Sequence, residues 1–202
     1  MMFFFLLSAF GQTQENSLLV FVGEKIELRY IKPITESNDT NVIVKLDREY
    51  YAKYKILQLI NGSYKSDTIE FTVYFHYGKK PEFSKYKTVL LFVSEYEGKL
   101  YHEKYQYFDL YMTESGRWAS PYPVVDYNHS FKDSITVMPK KIPFVGKVYY
   151  SAKKMSADDI KEWFPQPYYR MEKKRAIAVY GNYVEDLFKL KQQTVLKARG
   201  IF

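Results

Sequence analysis

The fold is decided by four segments of the chain: YYAKYKILQL at 50–59, TIEFTVYFHY at 68–77, YKTVLLFVS at 86–94 and KLYHEKYQYFDLYM at 99–112. All four are rich in aromatic and β-branched residues, and turn formers such as Asn61-Gly62 and Glu97-Gly98 separate them. This pattern predicts a mainly β (α+β), antiparallel fold, either an OB-like barrel or a sandwich. No linker divides residues 12–202, so we expect them to form a single globular domain.

The last of these segments carries a regular alternation of tyrosines. An unbroken strand would place six side chains on one face: Tyr101, Glu103, Tyr105, Tyr107, Asp109 and Tyr111. An exposed tyrosine row can stack against ligands, but tyrosine is also a good strand former whose cross-strand pairs stabilise sheets. We expect the structural role for this row.

Two helices are expected toward the C-terminus, one short and one longer. Ser156 followed by Asp159 is typical of a capping box, and Pro165 ends the short helix early. The longer helix is predicted from Asn182 to about Arg199, with Gly200 as its C′ residue.

The stretch from Ala52 to Val93 resembles the core of netrin/TIMP-like OB-fold modules. The resemblance rests on YKILQLING at 54–62, DTIEF at 67–71 and VLLFV at 89–93, and it covers 42 of the 202 residues. It implies an OB barrel. The inhibitory activity of TIMP proteins depends on an N-terminal cysteine, which this chain lacks, so that activity is not implied.

A second resemblance concerns the rest of the chain. The Tyr-rich strands, the Gly11-Gln12 pair after an apolar start, and GNYVEDLFKLKQ at 181–192 are similar to features of uncharacterised small secreted proteins of Gram-negative bacteria. This resemblance implies export but no particular activity.

The composition excludes several classes of protein. Hydrophobic residues make up 47% of the chain, enough to bury a core, so a disordered chain is excluded. The absence of cysteine excludes disulfide scaffolds, Cys-ligated metals and thiol nucleophiles. We find no serine-nucleophile or Gly-rich phosphate motif, expect no cofactor, and predict that the protein is not transmembrane.

The N-terminal sequence predicts an export signal. Residues 1–11 (MMFFFLLSAFG) form a short apolar run, and Ala9 and Gly11 sit at −3 and −1 of a small-x-small cleavage site. No Lys or Arg precedes the run, which departs from the usual signal pattern, and a buried N-terminal strand is the alternative. We expect a signal peptide over 1–11 and a periplasmic or secreted protein of a bacterium.

One candidate site combines the three histidines with an aspartate. His76, His102, Asp126 and His129 could converge as acid–base groups, with His102, Asp126 and His129 as the catalytic candidates and the three histidines as alternative metal ligands. No HExxH or HxH spacing supports a metal site, so we expect none. Separate surface or edge histidines are the simpler interpretation.

The segment 117–129 (RWASPYPVVDYNH) is the loop whose composition is most typical of a ligand-binding site. Aromatic side chains with polar tips suit sugar or peptide recognition, and two prolines stiffen the segment. The candidate ligand-binding residues are Arg117, Trp118, Tyr122, Tyr127 and Asn128. The alternative is that these residues simply cover one end of the barrel.

The net charge of +7 is spread along the chain and interleaved with acidic residues, so we do not expect nucleic-acid binding. The sequence favours an exported, non-catalytic binding or envelope-associated module with an unknown envelope or extracellular ligand. The alternative is a secreted hydrolase that uses the His/Asp cluster, with or without the assistance of a metal ion.

Overall fold

The computed structural model describes residues 18–32, 47–76 and 80–202. Within them, five long strands form a closed barrel: β1 (Leu18–Tyr30), β2 (Asp47–Asn61), β3 (Thr68–His76), β4 (Thr88–Tyr96) and β5 (Lys99–Asp109). Their order around the barrel is β1-β2-β3-β5-β4, and every pairing is antiparallel except β3 with β5. This confirms the predicted mainly β fold with an OB-like barrel. The predicted signal peptide at 1–11 lies outside the described residues.

The first six residues of β1 and the first six of β4 are buried on both faces of the sheet. Leu19 and Phe21 of β1 belong to the core inside the barrel, whereas Val20 and Val22 belong to a second core on its outer side. Because successive side chains of a strand point to opposite faces, a continuous apolar run is needed here. The run VLLFV of β4 divides in the same way, with Leu91 inside and Phe92 outside.

Strand β5 contains a bulge that reverses its faces. Val93 of β4 pairs with His102, but Leu91 pairs with Tyr107, so β5 carries extra residues between these two pairs. Tyr105 in this interval has a φ of +67°. As a result Leu100 and Tyr107 both pack on the barrel core, although a regular strand would point them to opposite faces. The prediction of a single tyrosine face over 101–111 is therefore wrong.

Smaller elements complete the chain. The short strands are β6 (Tyr111–Met112), β7 (Trp118–Pro121), β8 (Lys140–Lys141), β9 (Tyr149–Ser151), β10 (Tyr169–Glu172), β11 (Arg175–Ala178) and β12 (Tyr180–Tyr183). They form two small sheets, β6-β7-β12-β8 and β10-β11-β9. The helices are α1 (Val124–Tyr127), α2 (Ala157–Trp163), α3 (Val184–Gln193) and α4 (Val195–Ala198), with 3-10 turns at Glu82–Lys85 and Lys132–Ser134. No helix in the described ranges is long and apolar enough to cross a bilayer.

The capping box that predicts α2 is present. The Ser156 hydroxyl accepts from the backbone N–H of Asp159, and the Asp159 carboxylate accepts from the backbone N–H of Ser156. Both ends of this helix therefore agree with the prediction, because it stops at Trp163, before Pro165.

The longer C-terminal helix differs from the prediction. Asn182 belongs to β12, so the helix begins at Val184, and it breaks at Thr194, where φ is −120° and ψ is −106°. The Thr194 hydroxyl donates to the carbonyl of Leu190, which competes with regular helical bonding. Leu187 and Leu196, one on each side of the break, pack in the outer core against β1 and β4.

Candidate binding cleft

The three histidines have separate surroundings. His76 Nδ1 lies 2.6 Å from Asp47 Oδ1, and the His129 Nδ1 accepts a 3.1 Å hydrogen bond from the backbone N–H of Phe131. His102 packs in the barrel interior with its ring centroid 4.8 Å from that of Phe83. Across the described ranges, no group of three His, Cys, Asp or Glu side chains could hold a metal ion. The structure does not assemble the predicted His/Asp cluster.

His102 is a structural histidine. Its Nε2–H donates to the carbonyl oxygen of Gln106 at 2.8 Å, because a carbonyl can only accept. Burial lowers the pKa of His102 to about 4, so the ring is neutral at pH 7. This residue bridges the bulge of β5 from inside the barrel.

The predicted binding loop is only partly assembled into a site. Arg117 pairs with Glu185 at 3.0 Å and covers the ring of Tyr183, and Trp118 packs against the outer core. Tyr127 stacks on Tyr122 and donates from its hydroxyl to Asn182. Asn128 follows α1 at its C-cap and is exposed. Of the predicted residues, Tyr122 and Asp126 line a cleft.

That cleft has a volume of about 400 Å³, within the range of small-molecule sites. It lies between the end of β5, the β7–α1 segment, α2 and the small sheet that contains β9 and β10. Its aromatic lining includes Tyr107, Phe108, Tyr150, Trp163, Phe164 and Tyr169.

Asp109 is the central polar group of the cleft. The Tyr150 hydroxyl donates a 2.6 Å hydrogen bond to its Oδ2, and the Tyr111 hydroxyl also donates to the carboxylate. Across the described residues, no Lys, Arg or His nitrogen lies within 4.0 Å of this carboxylate. Burial raises the pKa of Asp109, and the two hydroxyl hydrogen bonds offset only part of that effect.

Five tyrosines surround this carboxylate. Burial is the main cause of the raised pKa of each phenol, and the negative charge of Asp109 raises the pKa further. The five tyrosines are Tyr86, Tyr107, Tyr111, Tyr150 and Tyr169. The phenols therefore stay neutral and can donate hydrogen bonds over the physiological pH range.

A second carboxylate in the cleft is neutralised internally. Asp126 Oδ1 lies 2.5 Å from Lys191 Nζ, and both side chains are nearly buried. Lys191 comes from α3 and also lies 4.7 Å from the ring centroid of Phe108. The two carboxylates of the cleft thus have opposite surroundings: Asp126 has a cation, and Asp109 has hydroxyls.

Sequence reasoning missed most of this site. Asp109, Tyr150, Trp163, Tyr169 and Lys191 were not among the predicted site residues. The available signal was Asp109 itself, an acidic residue between Phe108 and Leu110 in an otherwise aromatic run. An acidic residue between two buried apolar neighbours is expected only where the fold or the function requires it.

The fold and the cleft together define an OB-like barrel with an aromatic cleft that contains a carboxylate. Comparisons with protein-family models, with curated proteins and with solved structures found no match to this chain. The resemblances to netrin/TIMP-like modules and to small secreted proteins therefore remain predictions from the sequence.

Proposed function

We propose that the protein is a non-catalytic binding module whose ligand occupies the Asp109 cleft. The observation that carries this proposal is a half-buried carboxylate without a cationic partner, in a cleft of about 400 Å³ lined by aromatic rings. Aromatic walls with a few placed polar groups are typical of small-molecule sites.

The energetic cost of Asp109 supports a functional role. A carboxylate removed from water is destabilising unless a cation or several hydrogen bonds replace its hydration. Asp109 has two tyrosine hydroxyls and its own backbone N–H as donors but no cation, and the net effect of burial is still to raise its pKa. Groups that reduce stability in this way are concentrated at functional sites.

A rim substitution tests the proposal without disturbing the core. Val125 lines the cleft and is 62% exposed, whereas Val145 is 64% exposed and lies elsewhere. We expect Val125→Phe to obstruct the cleft and Val145→Phe to leave it open. The measurement is saturation-transfer NMR with choline, methyl β-glucoside and benzoate as probes of three chemical classes.

The proposal predicts that at least one probe gives a signal with the wild type and with Val145→Phe, and that Val125→Phe loses it. If no probe shows a difference between the two variants, the cleft is not a binding site and the proposal is wrong.

We also propose that the module is exported, to the periplasm or the exterior of a bacterium, where it meets an envelope or extracellular ligand. The support is the apolar run at 1–11 and the small residues Ala9 and Gly11. Mass spectrometry of the protein secreted or processed in a bacterial host tests this: cleavage after Gly11 is expected, and an intact N-terminus would contradict it.

A hydrolase is the second candidate, favoured by one observation. Two carboxylates in unlike surroundings, Asp109 with a raised pKa and the ion-paired Asp126, line the same cleft. Two carboxylates in unlike surroundings are the arrangement in which one can serve as acid and the other as base. Release of p-nitrophenol from p-nitrophenyl glycosides, lost in Asp109→Asn, would support this candidate, and no release would remove it.

A further inference from the structure

We propose that the ligand of the cleft is an organic cation, whose alkylammonium group lies against the carboxylate of Asp109 and the aromatic rings beside it. This inference rests on the proposed function and names the chemical class of the ligand. It is carried by the charge and the lining of the cleft.

Among the residues that line the cleft, one charged group, Asp109, has no oppositely charged partner. Among the residues that line it, Asp109, Asp126 and Lys191 are the acidic and basic side chains. Asp126 and Lys191 neutralise each other at 2.5 Å, so one negative charge remains when Asp109 is ionised. A chain of net charge +7 therefore has a local negative site that is complementary to a cation.

The aromatic lining supplies the second part of the argument. The ring of Tyr150 stacks on Phe164 with centroids 5.8 Å apart and meets Tyr169 edge-on at 6.1 Å. Ring faces attract alkylammonium groups, most strongly where water is displaced. A neutral sugar can use the same faces, but it would leave the Asp109 carboxylate without a counter-charge.

The coupling between protonation and binding gives the inference a pH signature. Five tyrosines face Asp109: one lies just before β4, and the others lie on β5, β6, β9 and β10. All five are neutral below pH 10. The charged pair in the same cleft is Asp126 with Lys191. A cation requires the ionised carboxylate. Because burial raises the pKa of Asp109, affinity for a cation should rise with pH until this group is fully ionised.

The test compares choline with its neutral isostere 3,3-dimethylbutan-1-ol, which has the same shape and lacks the charge. Affinities are measured by calorimetry on the full chain at two pH values, about 5 and about 8. The variants are Asp109→Asn and the control Asp133→Asn, which removes the same charge from an exposed position outside the cleft.

We expect choline to bind at least about tenfold more tightly than the isostere. Asp109→Asn should abolish that preference, and Asp133→Asn should retain it. The preference should also weaken at the lower pH. Equal binding of both compounds, or a preference that persists in Asp109→Asn, would overturn the inference.

Failure of the inference can be told apart from failure of the proposed function. If methyl β-glucoside binds the wild type, Val125→Phe prevents its binding, and choline shows no preference, the cleft binds neutral ligands and only the cation inference is wrong. If no probe distinguishes Val125→Phe from Val145→Phe, both are wrong.

Discussion

The hydroxyl of Tyr150 donates a 2.6 Å hydrogen bond to the carboxylate of Asp109, and it joins the small sheet to the end of the last barrel strand. The two residues are 41 positions apart in the chain. This bond fixes one wall of the cleft and gives a half-buried carboxylate a neutral donor instead of a cation. The proposed binding site is built around this hydrogen bond.

Replacement of Asp109 should increase stability at neutral pH. The raised pKa means that the folded state binds the proton more tightly than the unfolded state, so the ionised group destabilises the fold above that pKa and has no such cost below about pH 4. Asp109→Asn should therefore melt at a higher temperature than the wild type at pH 7, with a smaller difference at pH 4. Thermal unfolding followed by circular dichroism measures this, and a lower melting temperature at pH 7 would contradict it.

His102 should make the protein sensitive to acid. Its pKa is about 4 in the folded state against 6.5 for an exposed histidine, so between these values the unfolded state binds a proton that the folded state does not. The resulting loss of stability from pH 7 to pH 4 is about 3 kcal/mol from this group. NMR titration of the histidine Hε1 signals should show one that titrates near pH 4. The absence of any signal titrating below pH 5 would contradict the buried, neutral state of His102.

The buried Lys191–Asp126 pair should behave as a unit. Removal of one partner leaves a buried charge alone, so Lys191→Met and Asp126→Leu should each cost about 3–5 kcal/mol in urea unfolding. The double variant should cost clearly less than the two single changes combined. The exposed pair of Lys161 and Asp158 offers the control, and Lys161→Met should change stability by less than about 0.5 kcal/mol. Additive costs at 126 and 191 would show that the pair is not coupled.

Gly181 should be intolerant of a side chain. A Cβ atom at this position would lie 2.1 Å from the backbone carbonyl oxygen of Ser120 on the paired strand β7. Gly181→Ala should therefore destabilise the fold by about 1–3 kcal/mol. Gly98→Ala is the matched control, because Gly98 has a φ of +72° but open space around it, and so reports the conformational cost alone. A smaller loss at 181 than at 98 would contradict the close approach of β12 to β7.

The barrel could be predicted because its signals are local. Alternation in 50–59 and 68–77, the apolar run of 86–94 and the turns between them each report a strand without knowledge of its neighbours. The start of α2 is equally local, since Ser156 and Asp159 are three residues apart. These features appear in the structure as expected.

The bulge in β5 and the break in the C-terminal helix could not be predicted from local sequence signals. The sequence alternates without interruption through Tyr105, and only the register between β4 and β5 reveals the reversal. Thr194 fits a helical pattern, and the sequence does not show that the helix breaks there with Leu187 and Leu196 on either side in the same outer core.

The cleft was beyond sequence reasoning for a related reason. Asp109 becomes a candidate only when Tyr150 and Tyr169 are placed beside it, and these come from strands of a different sheet. The loop at 117–129 has the right composition, but only Tyr122 and Asp126 of its predicted residues line the cleft. Local composition identified one wall of the site and not its centre.

The most direct test of the central claim uses the two tryptophans of the chain as paired reporters. Trp163 lines the cleft, whereas Trp118 packs against the outer core, so their indole N–H signals separate binding in the cleft from a global change. In a ¹⁵N-labelled sample titrated with choline, we expect the Trp163 signal to shift to saturation and the Trp118 signal to stay in place. We expect Asp109→Asn to remove the Trp163 shift. Saturating shifts of both signals, or no shift of Trp163 with choline or with the neutral probes, would contradict the assignment of the Asp109 cleft as the binding site.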